Sequence, residues 1–338
     1  MLTLLEHGGR LREAAHQYGI PLTDWLDLST GINPNGWQVP AIPAHCWQRL
    51  PEDNDELLPN ARLYYQNSSL LAVAGSQAAI QLLPTLRAPA QVGVLHPAYA
   101  EHATGWENAG HQLRILDIDN IESELDTLDV LIIINPNNPT GKLWEPARLL
   151  DWHHKLSQRG GWLIVDEAFI DNMPEYSLSA LPVKKGLIIL RSVGKFFGLA
   201  GVRCGFMIAE QTLLTRIAEK LGPWTISHSA RYVTALALAD RAWQQAAILT
   251  LSQQRQRLVT LLNQNGWVTQ GSSALFQWVV HPQAEKLHTL LARQGIFTRL
   301  FNMPVSLRFG LPGNELDWQR LDQALRSAEI SGLLAKYG

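Results

Sequence analysis

The chain has 338 residues, 46% of them hydrophobic and 17% charged, with a formal net charge of −2. That length suffices for a large core and two domains, and the near-neutral balance excludes a protein built around a polyanion, so nucleic acid is not an expected partner. Cys46 and Cys204 are isolated thiols without metal-ligand spacing, which points to core packing in a reduced, cytoplasmic compartment rather than a disulfide framework.

Residues 1–12 lack the apolar core and cleavage site of a signal peptide. No run of about eighteen apolar residues occurs, so no membrane span is expected. Gly75-Ser76-Gln77 precedes an apolar helix predicted over 78–86. Apolar runs at 92–95, 130–134, 162–165, 187–190 and 202–208 then alternate with helical or loop segments, among them a helix over 149–159. Such alternation implies crossover connections and a mainly parallel sheet covered by helices.

After residue 217 the pattern changes. One long helix is predicted over 229–264, stopped by Asn265-Gly266, followed by strands at 275–280, 296–301 and 305–309 and a last helix from Glu315 to about 327. The expected class is α/β, with a large domain over 45–222 and a smaller α+β domain made of an N-terminal arm, 1–44, and residues 223–338. The twelve tryptophans are scattered and are read as core.

The chemistry gathers around Lys195. It ends the run Ser192-Val193-Gly194-Lys195 after one apolar strand, while the strand over 162–165 delivers Asp166, and Arg203 follows in a glycine-spaced segment. In open α/β sheets ligands bind at the carboxyl ends of the strands. An aldehyde cofactor, pyridoxal 5'-phosphate, needs an amine to hold it covalently and a carboxylate to keep its ring nitrogen protonated; Lys195 and Asp166 suit those roles. Its phosphate needs a guanidinium and backbone amides, which Arg203, Ser192 and the Gly75-Ser76-Gln77 segment can offer.

Asn135-Pro136-Asn137-Asn138-Pro139-Thr140-Gly141, Asp166-Glu167-Ala168-Phe169 and Ser192-Val193-Gly194-Lys195 with Arg203 resemble, in order and spacing, the signature of fold type I pyridoxal phosphate enzymes on the histidinol-phosphate aminotransferase branch. The resemblance runs along nearly the whole chain. His7-Gly8-Gly9, the stretch from Leu26 to Pro34 and the helix opening at Gly75 resemble the L-threonine-O-3-phosphate decarboxylases of cobalamin biosynthesis. That implies decarboxylation of L-threonine O-3-phosphate to (R)-1-aminopropan-2-yl phosphate by a homodimeric lyase.

By the same resemblance Asn138 bonds the cofactor's 3-hydroxyl and borders the substrate, Tyr99 stacks on the pyridine face, and Ser76 and Gln77 donate to the cofactor phosphate. A second anion site reads the substrate: Arg308 takes its carboxylate, and Arg299 its phosphate with help from His7, Gly8 and Gly31. Against these stand plainer readings, in which Asn138 shapes a turn, Tyr99 packs, His7 is solvated and the arginines pair at the surface. Two positions depart from the pattern. Phe169 lacks the hydroxyl that many relatives place there, which disfavours transamination, and Leu50 replaces a tyrosine that often crosses a dimer interface. A histidinol-phosphate-type aminotransferase and a non-catalytic binding or regulatory protein of the same fold remain the alternatives.

Overall fold

The computed structural model describes residues 8–334, so the expectation for His7 lies outside the described residues. Two compact units emerge: the larger comprises Gly36–Asn138 and Leu143–Ala246, the smaller the described parts of Met1–Asn35, Pro139–Lys142 and Ala247–Gly338. Residues 36–44 and 223–246, expected with the smaller domain, pack in the larger unit. The reason is polar as well as apolar: buried Arg231 holds Asp55 through bonds of 2.6 and 2.8 Å, and Trp37 Nε1 donates to Asp240 Oδ2 at 3.0 Å.

In chain order, β1 (Leu26–Asp27) belongs to the smaller unit. The strands β2 (Leu70–Val73), β3 (Gln91–Leu95), β4 (Gln112–Leu116), β5 (Val130–Ile134), β6 (Trp162–Asp166), β7 (Leu187–Ser192) and β8 (Gly205–Ile208) form the larger unit's sheet. Its order is β2-β8-β7-β6-β5-β3-β4, with β8 antiparallel to both neighbours and the other pairings parallel. β5 is buried at every position, as a central strand covered on both faces must be. Val92, Val94, Ile132, Ile164, Ile188 and Leu190 share its core with helix residues Ile80, Leu83 and Ile217.

Two strands escape the hydrophobic pattern. β4 is an edge strand that exposes Gln112, Arg114 and Ile115, and β2 spans only four residues. β8 starts later than expected because residues 200–202 form a 3-10 turn and Arg203 takes a left-handed conformation at φ 55°.

The single helix predicted over 229–264 is two, His228–Ala239 and Arg241–Gln264. Asp240 breaks it with φ −80° and ψ 79°, and its Oδ1 accepts the Trp243 N–H at 3.0 Å. A short acidic side chain competes for backbone amides in this way at helix starts, which periodicity alone does not register.

The smaller unit holds β9 (Gly271–Ser273), β10 (Phe276–Val280), β11 (Ile296–Phe297), β12 (Arg299–Asn302) and β13 (Val305–Gly310). Its antiparallel sheet runs β12-β13-β10-β9, and β1 pairs parallel with β11. The expected strand over 296–301 is interrupted at Thr298, whose hydroxyl bonds His288 Nδ1 at 2.8 Å. Among the described residues no helix is long and apolar enough to cross a membrane.

Candidate active site

Register brings the larger unit's candidates to one sheet edge. Ile134 pairs with Asp166, Asp166 with Leu190, Ser192 with Gly205, and Gly205 with Val73. The carboxyl ends of β2, β5, β6 and β7 are therefore level, and beyond them continue Ser76 and Gln77, Asn138, Phe169 and Lys195. Lys195 is half-buried with Nζ 5.3 Å from the centre of the Phe169 ring. Leu50 is exposed.

Asp166 is the last residue of β6 and is 3% exposed. Its Oδ1 accepts the Ala168 N–H at 3.0 Å, and its Oδ2 lies 2.9 Å from His102 Nε2. His102 is itself buried in the helix Ala100–Asn108 and was not singled out from the sequence. The only available signal was its place one helical turn after Tyr99, which reads equally well as packing.

Tyr99 caps that helix and sets its ring edge-on to His102, with centroids 6.2 Å apart. Its hydroxyl donates to Gln77 Oε1 at 3.2 Å, and Gln77 Nε2 donates to Glu101 at 2.6 Å. Burial, reinforced by Glu101 and Asp166, pushes the Tyr99 phenol up to about 12. The Gln77 side chain is thus engaged within the protein, which leaves its backbone amide for a ligand. Asn137 Nδ2 donates to Pro97 O at 2.9 Å and ties the segment before Tyr99 to the one before Asn138.

A phosphate fits beside Ser76. A Cβ on Gly205 would come within 2.7 Å of the Ser76 nitrogen, and one on Gly75, where φ is +70°, within 2.9 Å of Arg203 Nη2. Only glycine at both positions leaves the Ser76 amide and the guanidinium side by side. Arg203 is exposed and donates Nη1 to Ala200 O at 3.2 Å, while Ser192 Oγ accepts the Gly194 N–H at 3.1 Å. Amine, buried carboxylate and anion cradle are the donor set that pyridoxal phosphate requires.

A second buried network backs this edge. Arg191 on β7 donates Nη1 to Glu167 Oε2 at 2.8 Å and Nη2 to Asp171 Oδ1 at 2.6 Å, and Tyr64 donates to the same Asp171 oxygen at 2.9 Å. Glu167 directly follows Asp166, so this triad pins the chain as it leaves β6. Burial pushes the Glu167 carboxyl up even though Arg191 opposes the shift.

In the smaller unit Arg299 and Arg308 are direct cross-strand partners on β12 and β13. Arg308 is buried, donates Nη2 to Ser29 O at 2.5 Å and lies over the Phe276 ring. Burial, then the Arg299 charge, lowers its pKa to about 9, with Asp27 opposing. Ser29 Oγ bonds Asp27 at 2.6 Å and accepts the Gly9 N–H at 2.8 Å. Arg299 lines a cavity of about 440 Å³ together with Gly8, Ser29 and His288. Gly31 adopts φ +60° but does not line that cavity.

The profile of the aminotransferase class I and II family matches residues 24–327. A threonine-phosphate decarboxylase of Pseudomonas aeruginosa is 55% identical over 95% of this chain and 97% of its own length. Another, from Sinorhizobium sp, is 41% identical over 96% of this chain and 98% of its own. The solved structure of histidinol-phosphate aminotransferase from Sinorhizobium meliloti, in complex with pyridoxal-5'-phosphate, aligns at TM-score 0.79 over 99% of this chain and all of that one; at 18% identity this likeness is one of fold. With a family match spanning most of its length, an architecture shared with that fold and relatives this similar from end to end, the chain belongs to the aminotransferase class I and II family.

Proposed function

We propose that the protein is a pyridoxal phosphate-dependent carboxy-lyase that converts L-threonine O-3-phosphate to (R)-1-aminopropan-2-yl phosphate, a step of cobalamin biosynthesis. The observation that carries this reading is the level sheet edge, with Asp166 ending one strand and Lys195 just beyond the end of its neighbour, in a chain 55% identical to a threonine-phosphate decarboxylase. When bound, the cofactor draws electrons from the bond that breaks at the substrate's α-carbon. Lys195 supplies the amine that holds it and returns a proton to the α-carbon after carbon dioxide leaves. Asp166, fixed by Ala168 and His102, keeps the ring nitrogen protonated. Ser76, Gln77, Ser192 and Arg203 bind the cofactor phosphate, and Asn138 and Tyr99 orient the ring.

Which bond breaks is set by orientation, so the substrate must be held by groups remote from the α-carbon. Two cationic side chains placed directly opposite one another repel; an anion between Arg299 and Arg308 relieves that cost. Arg308 takes the substrate carboxylate, and Arg299 the phosphate with the amides near Gly8 and Gly31. Phe169 offers no hydroxyl to the cofactor oxygen, which favours decarboxylation over transamination. We further infer a cytoplasmic homodimer, as the resemblance to the family implies.

Incubating the cofactor-loaded protein with threonine phosphate and no keto acid tests the reaction. Release of carbon dioxide and aminopropanol phosphate is expected, and a product that forms only with an acceptor overturns it in favour of an aminotransferase. Borohydride reduction followed by peptide mapping should place the cofactor's mass on the peptide containing Lys195.

A further inference from the structure

We propose that His45, Cys46 and His228 form a site for one borderline-soft divalent ion, with Zn²⁺ as its representative. The inference does not depend on the proposed reaction, since none of the three belongs to the cofactor or substrate set. His45 and Cys46 are neighbours in the short helix His45–Gln48, and His228 opens the helix His228–Ala239. One ligand atom from each lies within 4.8 Å of the others, and all three residues sit in the larger unit.

Zinc bonds of about 2.0–2.3 Å in a tetrahedron put ligand atoms roughly 3.3–3.8 Å apart. The cluster must therefore contract by about an ångström, which is within the reach of side-chain torsions. His45 is exposed and has the freedom to make that adjustment. The two imidazole rings are tilted by 60° at a centroid distance of 5.4 Å, so they converge without stacking flat. His228 Nδ1 is 3.4 Å from the Arg49 carbonyl, the kind of outer contact that orients a metal-bound imidazole.

The thiol of Cys46 is buried and in no disulfide, so it faces the cluster as a soft donor shielded from solvent. Two imidazoles and a thiolate suit zinc, cobalt or copper and reject calcium and magnesium. Three protein ligands leave a fourth position for water or another group. The bound ion would brace the segment 45–49 against the start of the helix at His228. Cys204 does not compete, because burial pushes its thiol up to about 12 and keeps it protonated.

Cobalt titration of the cofactor-loaded full chain tests this, since a thiolate bound to Co²⁺ gives a charge-transfer band in the near ultraviolet. One equivalent per chain should saturate the band, and Zn²⁺ should displace it. Cys46→Ser should abolish it with the far-ultraviolet circular dichroism unchanged, His45→Gln and His228→Gln should each weaken binding at least about tenfold, and Cys204→Ser should leave it intact. Absence of a saturable band, or a band that survives Cys46→Ser, overturns the site. Should Cys46→Ser not fold, the exposed His45→Gln carries the test through its loss of affinity.

Discussion

Replacing Arg191 by leucine is the sharpest test of how the candidate-site edge of the sheet is held. Arg191 is 3% exposed, and its guanidinium bridges two carboxylates that are themselves buried, Glu167 and Asp171. Removing one partner of a buried ion pair typically costs about 3–5 kcal/mol, because the other charge stays desolvated and unpaired. Here two such charges are left, so the upper part of that range is expected. At about 2–4 °C per kcal/mol for a unit of this size, the melting temperature should fall by roughly 8–20 °C. Burial already raises the Glu167 carboxyl, and without Arg191 it rises further. A raised folded-state pKa makes its stabilising contribution below the unfolded value and loses it as pH rises through the folded one. The deficit of Arg191→Leu should therefore be smallest near the unfolded carboxylate pKa of about 4 and grow toward neutral pH. Scanning fluorimetry from acid to neutral pH measures this. Glu167→Leu and Asp171→Leu added to Arg191→Leu should recover most of the loss, since apolar replacement of a whole buried ionic group is often close to neutral. A pH-independent loss below about 0.5 kcal/mol, within the range of an ordinary surface change, would refute the reasoning.

Three further outcomes follow from named contacts. Arg308→Ala should raise KM for threonine phosphate at least about tenfold, as loss of a charge-assisted bond of about 1.5–3 kcal/mol implies; unchanged decarboxylation would end the assignment of the substrate carboxylate to this residue. His102→Phe removes the partner of Asp166 Oδ2 and should weaken cofactor retention by roughly tenfold or more for the same reason, read as cofactor fluorescence released on dilution. At alkaline pH the buried Tyr99 phenol and Cys204 thiol, each raised to about 12, keep their protons in the folded state after the unfolded chain has lost them. Stability is then full below about pH 8.5–10 and declines toward pH 12, with Tyr64 and Tyr65 acting in the same direction. Tyrosinate absorbance that appears fully by pH 11 without unfolding would contradict this.

The amino-acid sequence by itself carried the parallel α/β core, since runs such as those at 130–134 and 162–165 are apolar at every position and only a strand covered on both faces tolerates that. It also marked Lys195, Asp166 and Arg203 as candidates, because each stands near a strand end or in a glycine turn where local pattern and chemistry coincide. Tertiary structure alone decided the rest. The bond from Trp37 to Asp240 spans 203 positions of the chain, and the partnership of His102 with Asp166 joins a helix to a strand end that no spacing rule connects. Arg299 and Arg308 became direct neighbours only through the register of β12 and β13. Local propensity reports the backbone a segment prefers, whereas a site is assembled by contacts between segments, and those are set only when the whole core closes.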